Sequence, residues 1–138
     1  HTYLTNMSEG QILQSLNQTR DAIVAAGGNA PKGVRPPGGK INDASKAVLA
    51  KAGMPSIVWS VDTLDWKTRN AQKTIDTVLS QVKDGDIVLM HDLYEQSAIA
   101  AETLIPELTK RGYQLVTVSE MAELRGGMAA GHSYGHFR

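Results

Sequence analysis

Cysteine is absent from this 138-residue chain, which excludes disulfides and thiolate metal sites. The compartment stays open, because exported bacterial proteins can also lack cysteine. Charge of one sign is not in excess either. Fourteen basic and 14 acidic residues cancel, which argues against nucleic acid or an anionic membrane as the main partner. No apolar run approaches the roughly 18 residues that a membrane-spanning helix needs. A Gly-rich phosphate loop between a strand and a helix is also missing, so a flavodoxin-like nucleotide binder is disfavoured. The first residue is His1 rather than Met and no secretory leader is visible, so the N-terminus is expected to have been removed or never included.

What is present is enough chain for one domain with a sizeable core. Ser8 to Ala26 reads as a helix: Ser8 and Gln11 form a capping-box pattern, Ile12, Leu16, Thr19 and Ile23 share a face, and Gly27-Gly28 ends it. Gly33 to Arg35 is a short strand candidate stopped by Pro36-Pro37. Asn42 or Asp43 caps a helix to about Lys51, and Ser56 to Val61 is a buried strand. Asn70 to Val82 is helical, with Ile75, Val78, Leu79 and Val82 facing inward, and Asp86 to Met90 is the next strand, apolar enough to be covered on both faces. Glu95 to Lys110 is a helix with a kink or break expected at Pro106. Tyr113 to Val118 is a strand, Ser119 caps a short helix ending near Arg125, and residues 128–138 read as a Gly-, Ala- and His-rich tail after a domain of residues 1–127.

This alternation predicts an α/β fold with a parallel sheet and right-handed crossovers. Four strands cannot close a barrel. The orphan first helix favours the C-terminal part of something larger over a small open sheet.

Three polar clusters follow apolar runs at nearly even spacing: Arg35-Pro36-Pro37-Gly38-Gly39, Asp62-Thr63-Leu64-Asp65-Trp66 and Leu89-Met90-His91-Asp92. Arg35 and Asp62 are 27 residues apart, Asp62 and His91 29, which is about one strand-plus-helix unit. Arg, Asp and His are therefore expected at the ends of successive parallel strands, where α/β folds place their chemistry. A lone His in such a place is more often structural. Here the carboxylate of Asp62 is expected beside His91, and such a partner favours the charged imidazole and fixes its tautomer, as a general acid requires. Arg35 is either a surface Arg at a turn or a group that holds a carboxylate; the prolines stiffen its loop and the glycines permit close approach of a substrate to a backbone donor. Trp66 is either a lid on the core or a platform for a sugar ring or acyl group. His132 and His136 stand four apart in Gly-rich surroundings that favour a tail over a metal site. The glycosylation patterns at Asn6 and Asn17 are discounted, the second because it lies inside a helix.

Taken in order, these clusters resemble the polysaccharide deacetylases of the NodB-homology group, carbohydrate esterase family 4. Arg35-Pro36-Pro37-Gly38-Gly39 is similar to the family's RxPxG motif, Asp62-Thr63-Leu64-Asp65-Trp66 to DxxDW, and Leu89-Met90-His91 to LxH. His1 to Ser8 resembles the stretch that begins at the second His of the H-[S/T]-x-x-H motif. That motif's first His and the whole of the TFDD motif have no counterpart here. The resemblance implies the C-terminal part of a distorted (β/α) barrel.

It also implies roles. His1 would ligate a divalent metal, typically zinc, two of whose three protein ligands lie outside this chain. His91 would protonate the departing amine, supported by Asp62, and Arg35 would orient and tune an absent catalytic Asp. The Gly38 N–H would help bind the oxyanion, and Leu89 and Trp66 would line the pocket for the acetyl methyl. Gly38 stands where the family commonly has Tyr, so a backbone donor survives and a ring wall does not.

The implied activity is metal-dependent deacetylation of an N-acetylated glycan at the bacterial cell wall or outside the cell, first of all peptidoglycan N-acetylglucosamine. Chitin oligomers and acetylated xylan are alternatives, and a non-catalytic carbohydrate-binding relative is the reading from another class. The 138 residues alone are expected to be inactive, and uncovered apolar surface is expected to call for an N-terminal companion fragment or a homo-oligomer.

Overall fold

The computed structural model describes residues 1–138. They divide into two compact units, His1–Val58 with Gly127–Tyr134, and Trp59–Gly126 with Gly135–Arg138.

The first unit opens with a short 3₁₀ turn and α1 (Glu9–Ala25), whose start follows from its sequence: Ser8 accepts the Gln11 N–H while the Gln11 side chain accepts the Ser8 N–H. α2 (Asp43–Lys51) begins with the same device built from Asn42 and Ser45. Leu4, Ile12, Val48 and Leu49 form the core of this unit. Only Ile12 of the expected α1 face is fully buried, and Ile23 near its end is exposed. β1 (Ser56–Ile57) carries a parallel partner on each side: Val34 forms an isolated bridge to Ser56, and β4 (Ser133–Tyr134) pairs with Ser56 and Ile57.

In the second unit, β2 (Val61–Asp62) pairs in parallel with β3 (Val88–Leu89), so Asp62 lies opposite Leu89. Between them come α3 (Asp65–Thr68) and α4 (Ala71–Gln81), the latter capped by Asn70 on the Lys73 N–H. α5 (Glu95–Lys110) packs Ala100, Leu104 and Leu108 against Ile75 and Val78 of α4, and α6 (Val118–Leu124) follows. Both ladders are parallel, and the α/β class stands.

Several boundaries differ from expectation, each for a physical reason. The expected strand 56–61 is interrupted at residues 58–60, because its first part pairs with β4 and its last with β3. α5 runs through Pro106 without a break; Pro106 and Glu102, whose carbonyl loses a donor, are both exposed, so water can replace the bond. α6 is capped by Thr117, not Ser119, since Thr117 and Glu120 close a reciprocal box that Ser119 and Ala122 cannot. The strand expected over 113–118 does not form. Leu115 and Val116 are exposed there and no ladder reaches them.

Residues 128–138 are not a loose tail. Gly-rich composition hides their bonding, because what holds them is mostly backbone: the Ser56 N–H donates to the His132 carbonyl, the Val58 N–H to Tyr134 and the Phe137 N–H to Gly85. Phe137 is 5% exposed, and Arg138 pairs with Asp86. Phe137→Ala is expected to lower stability by about 3 kcal/mol in urea unfolding, the usual cost of truncating a buried Phe; a tail residue would cost nothing measurable.

Candidate functional site

The site in the second unit is built by the turn that follows β2. The Asp62 carboxylate accepts the Leu64 N–H at 3.0 Å, a short Asx-type closure that accompanies the left-handed backbone of Leu64 (φ 51°). The hydroxyl of buried Thr63 donates to the Leu89 carbonyl at 2.8 Å, fastening this turn to β3. The chain thereby enters α3 with Asp65, not Asp62, directed at the residue that follows β3.

That residue is His91. Asp65 Oδ1 lies 2.7 Å from His91 Nδ1, and Asp65 Oδ2 accepts the His91 backbone N–H at 2.7 Å. A third donor, Ser97 Oγ in the first turn of α5, reaches Oδ2 at 2.6 Å. The Asp65 side chain is 2% exposed and that of His91 33%, so a sequestered carboxylate holds a ring that solvent can still reach. Asp62 and His91 do share one end of the β2–β3 ladder, as their spacing predicts, but the carboxylate that bonds the ring is Asp65. The cause is the turn at Leu64, which spends the Asp62 carboxylate on its own backbone.

Burial opposes charge on Asp65, but hydrogen bonds from Ser97, the His91 ring, the His91 N–H and the Trp66 N–H outweigh it and hold the carboxyl below its ordinary range. Asp86 is also held low: burial again opposes the charge, and Arg138, the Lys83 N–H and the Ser60 hydroxyl overcome it. A carboxyl whose folded value lies below its unfolded value adds stability above the unfolded value, near 4, and loses it as pH falls through the folded one. Stability is therefore expected to drop steeply below about pH 4, and Asp65→Asn or Asp86→Asn should flatten that acid limb in urea unfolding measured against pH.

Around the pair, Trp66 is 47% exposed on α3 and Leu89 is buried on β3. The Tyr94 ring meets His91 edge-on at 6.3 Å between centroids and carries the Arg69 guanidinium 4.8 Å above its own centroid.

The remaining residues singled out by sequence lie in the first unit. His1 and Arg35 line one cavity of about 380 Å³, and Arg35 is exposed and makes no ion pair. Gly38 adopts φ 60°, and its N–H donates to no acceptor within the chain. The Tyr3 ring lies beside Gly38: a Cβ on Gly38 would come within 2.9 Å of it. Gly38→Ala therefore meets both left-handed strain and Tyr3, and should cost about 1–2 kcal/mol in stability, relieved in part by Tyr3→Ala.

Sequence reasoning misses three residues of these sites: Asp65 as the ring's partner, Ser97 and Tyr3. Asp65 stands inside the DxxDW cluster, so the signal for it is present. Nothing marks Ser97, 32 residues away on another element.

As for a metal, no three His, Cys, Asp or Glu side chains of this chain sit together in a way that could hold an ion. His1 is one exposed imidazole, and the chain's own donor set does not amount to a metal centre.

The family model described as polysaccharide deacetylase matches residues 1–57. The peptidoglycan-N-acetylmuramic acid deacetylase PdaC of Bacillus subtilis is 42% identical over 125 residues, 91% of this chain and 26% of its own length. The peptidoglycan-N-acetylglucosamine deacetylase PgdA of Listeria monocytogenes is 39% identical over 121 residues, 88% of this chain and 25% of its own. Among solved structures, a T48 deacetylase with substrate superposes with a TM-score of 0.89 at 34% identity, over 97% of this chain and 65% of that one. A family 4 acetyl xylan esterase from Clostridium thermocellum in complex with a cobalt ion superposes with a TM-score of 0.83 at 27% identity, over 95% and 65%. The chain thus spans about a quarter of these curated relatives and just under two-thirds of these solved chains.

Proposed function

Since the chain belongs to the polysaccharide deacetylase family, with the parallel-stranded α/β fold of its NodB-type domains, we propose that it carries the proton-donating part of a hydrolase that removes N-acetyl groups from peptidoglycan, N-acetylglucosamine first. The observation that carries this reading is the His91–Asp65 pair.

Hydrolysis of an acetamide needs an activated water, a sink for the oxyanion charge and an acid for the departing amine. With Nδ1 bonded to an ionised Asp65, Nε2 is the ring nitrogen left to carry the proton. As the C–N bond of the tetrahedral intermediate breaks, that proton passes to the amine nitrogen, acetate departs with the oxygen of the attacking water, and His91 is left neutral. In the same reading the unpaired Gly38 N–H faces the oxyanion, Arg35 holds a carboxylate supplied from outside this chain, and Trp66 and Leu89 wall the acetyl methyl. Asp62 acts on the loop through Leu64 rather than on the ring.

A divalent metal belongs to the reading as well, with zinc proposed and His1 as one donor; bound zinc polarises a carbonyl and lowers the pKa of a water. Because its other ligands are not among residues 1–138, the isolated chain is proposed to be inactive. Exposed Leu115 and Val116 suit cover by an N-terminal companion segment or a second copy. No helix is long and apolar enough to cross a membrane. A peptidoglycan substrate places the bacterial protein at the cell wall or outside the cell.

The test is acetate release by the full-length protein from peptidoglycan, chito-oligomers and acetylxylan. Release from peptidoglycan is the expected result. Release from acetylxylan alone would make the chain part of an esterase, and glycan binding without release from any would mark a non-catalytic relative.

A further inference from the structure

Ser97 is 3% exposed in the first turn of α5, its own N–H donating to the Tyr94 carbonyl at 2.9 Å. A serine near a helix start commonly turns its hydroxyl back to local backbone. This one reaches across 32 residues of sequence to Asp65 Oδ2. An ionised carboxylate has no proton to give, so the hydroxyl must donate.

The two oxygens of Asp65 then divide their work. Oδ2 is held by two donors, Ser97 Oγ and the His91 N–H, while Oδ1 meets the His91 ring, and the Trp66 N–H adds a bond from the carboxylate's own helix. The His91 and Trp66 N–H groups belong to the two segments that carry the pair, so the bonds they make leave the carboxylate free to shift with either segment. A second donor on the same oxygen, from a different element, removes that freedom. We propose that Ser97 is a positioning residue for the deacetylation proposed above: acting through Asp65, it holds the His91 ring with its proton on Nδ1 and Nε2 directed to the reaction. This inference rests on that functional reading for its catalytic consequence, but not for its geometry.

Two measurements keep the parts separable. In full-length protein labelled with [¹⁵N]histidine, the ring signals of His91 should report an Nδ1–H protected from exchange. Ser97→Ala should lose that protection, and Ser97→Thr, which keeps the hydroxyl, should restore it. In acetate release, Ser97→Ala should lower kcat about tenfold, the rate equivalent of one hydrogen bond to a charged group, with KM within about twofold. Ser97→Thr should recover most of that loss. A wild-type ring spectrum in Ser97→Ala would overturn the proposal, as would equal impairment of the Ala and Thr variants, which would mean packing alone. If Ser97→Ala fails to fold, the near-isosteric Ser97→Cys, a weaker donor, takes its place, and an unchanged ring spectrum there counts against Ser97 equally. If the unmutated protein releases no acetate from any glycan, the functional reading fails while the ring spectrum still decides the role of Ser97.

Discussion

Asp65→Asn in the full-length protein is expected to lower kcat by about 10²–10⁴-fold, the range that a positioned general acid contributes, and His91→Ala should fall in the same range. The reason is a count of donors. His91 Nδ1, the His91 N–H, Ser97 Oγ and the Trp66 N–H all point at Asp65, and a carboxylate can accept from all four. An amide offers one acceptor oxygen and a donor. Turned so that its oxygen meets Nδ1, it sets NH₂ against two other donors; turned the other way, it sets NH₂ against the ring and forces the other tautomer. Asp62→Asn keeps an oxygen for the Leu64 N–H and should cost far less. Acetate release measured for the two variants side by side checks this. A loss confined to Asp62→Asn would return the ring's partner to where sequence spacing places it.

The second large effect is an absence of turnover. The purified 138-residue chain should release no acetate above background from peptidoglycan, with or without added zinc, while the full-length protein does so. Its residues supply a candidate acid at His91, a candidate oxyanion donor at Gly38 and one candidate metal donor at His1, but no cluster of three ligands. Turnover by the chain alone, free of longer contaminants, would show that the reaction draws on groups other than those assigned.

Local signals carried well from sequence to structure because they act within one turn. Ser8 with Gln11 caps α1, and Asn42 caps α2, where pattern places them. The clusters at Arg35, Asp62 and His91 mark ends of parallel pairings, since apolar runs bounded by turns have few other ways to be satisfied. What sequence did not disclose depends on long-range geometry. Choosing between Asp62 and Asp65 requires the left-handed turn at Leu64, which a bulky residue rarely adopts. Finding Ser97 requires knowing how the first turn of α5 lies against α3. Alternation over 113–118 reads as a strand, yet a ladder needs a partner, and none is bonded there. Residues 128–138 look like a tail because backbone hydrogen bonds leave no trace in composition.

One measurement reaches the central claim directly: mass spectrometry of muropeptides from peptidoglycan treated with the full-length protein and, in parallel, with its His91→Ala variant. N-acetylglucosamine residues should lose their acetyl group under the unmutated protein and keep it under the variant. Equal deacetylation by both would remove His91 from the reaction. Masses unchanged by a folded, glycan-binding wild type would contradict the assignment as a hydrolase.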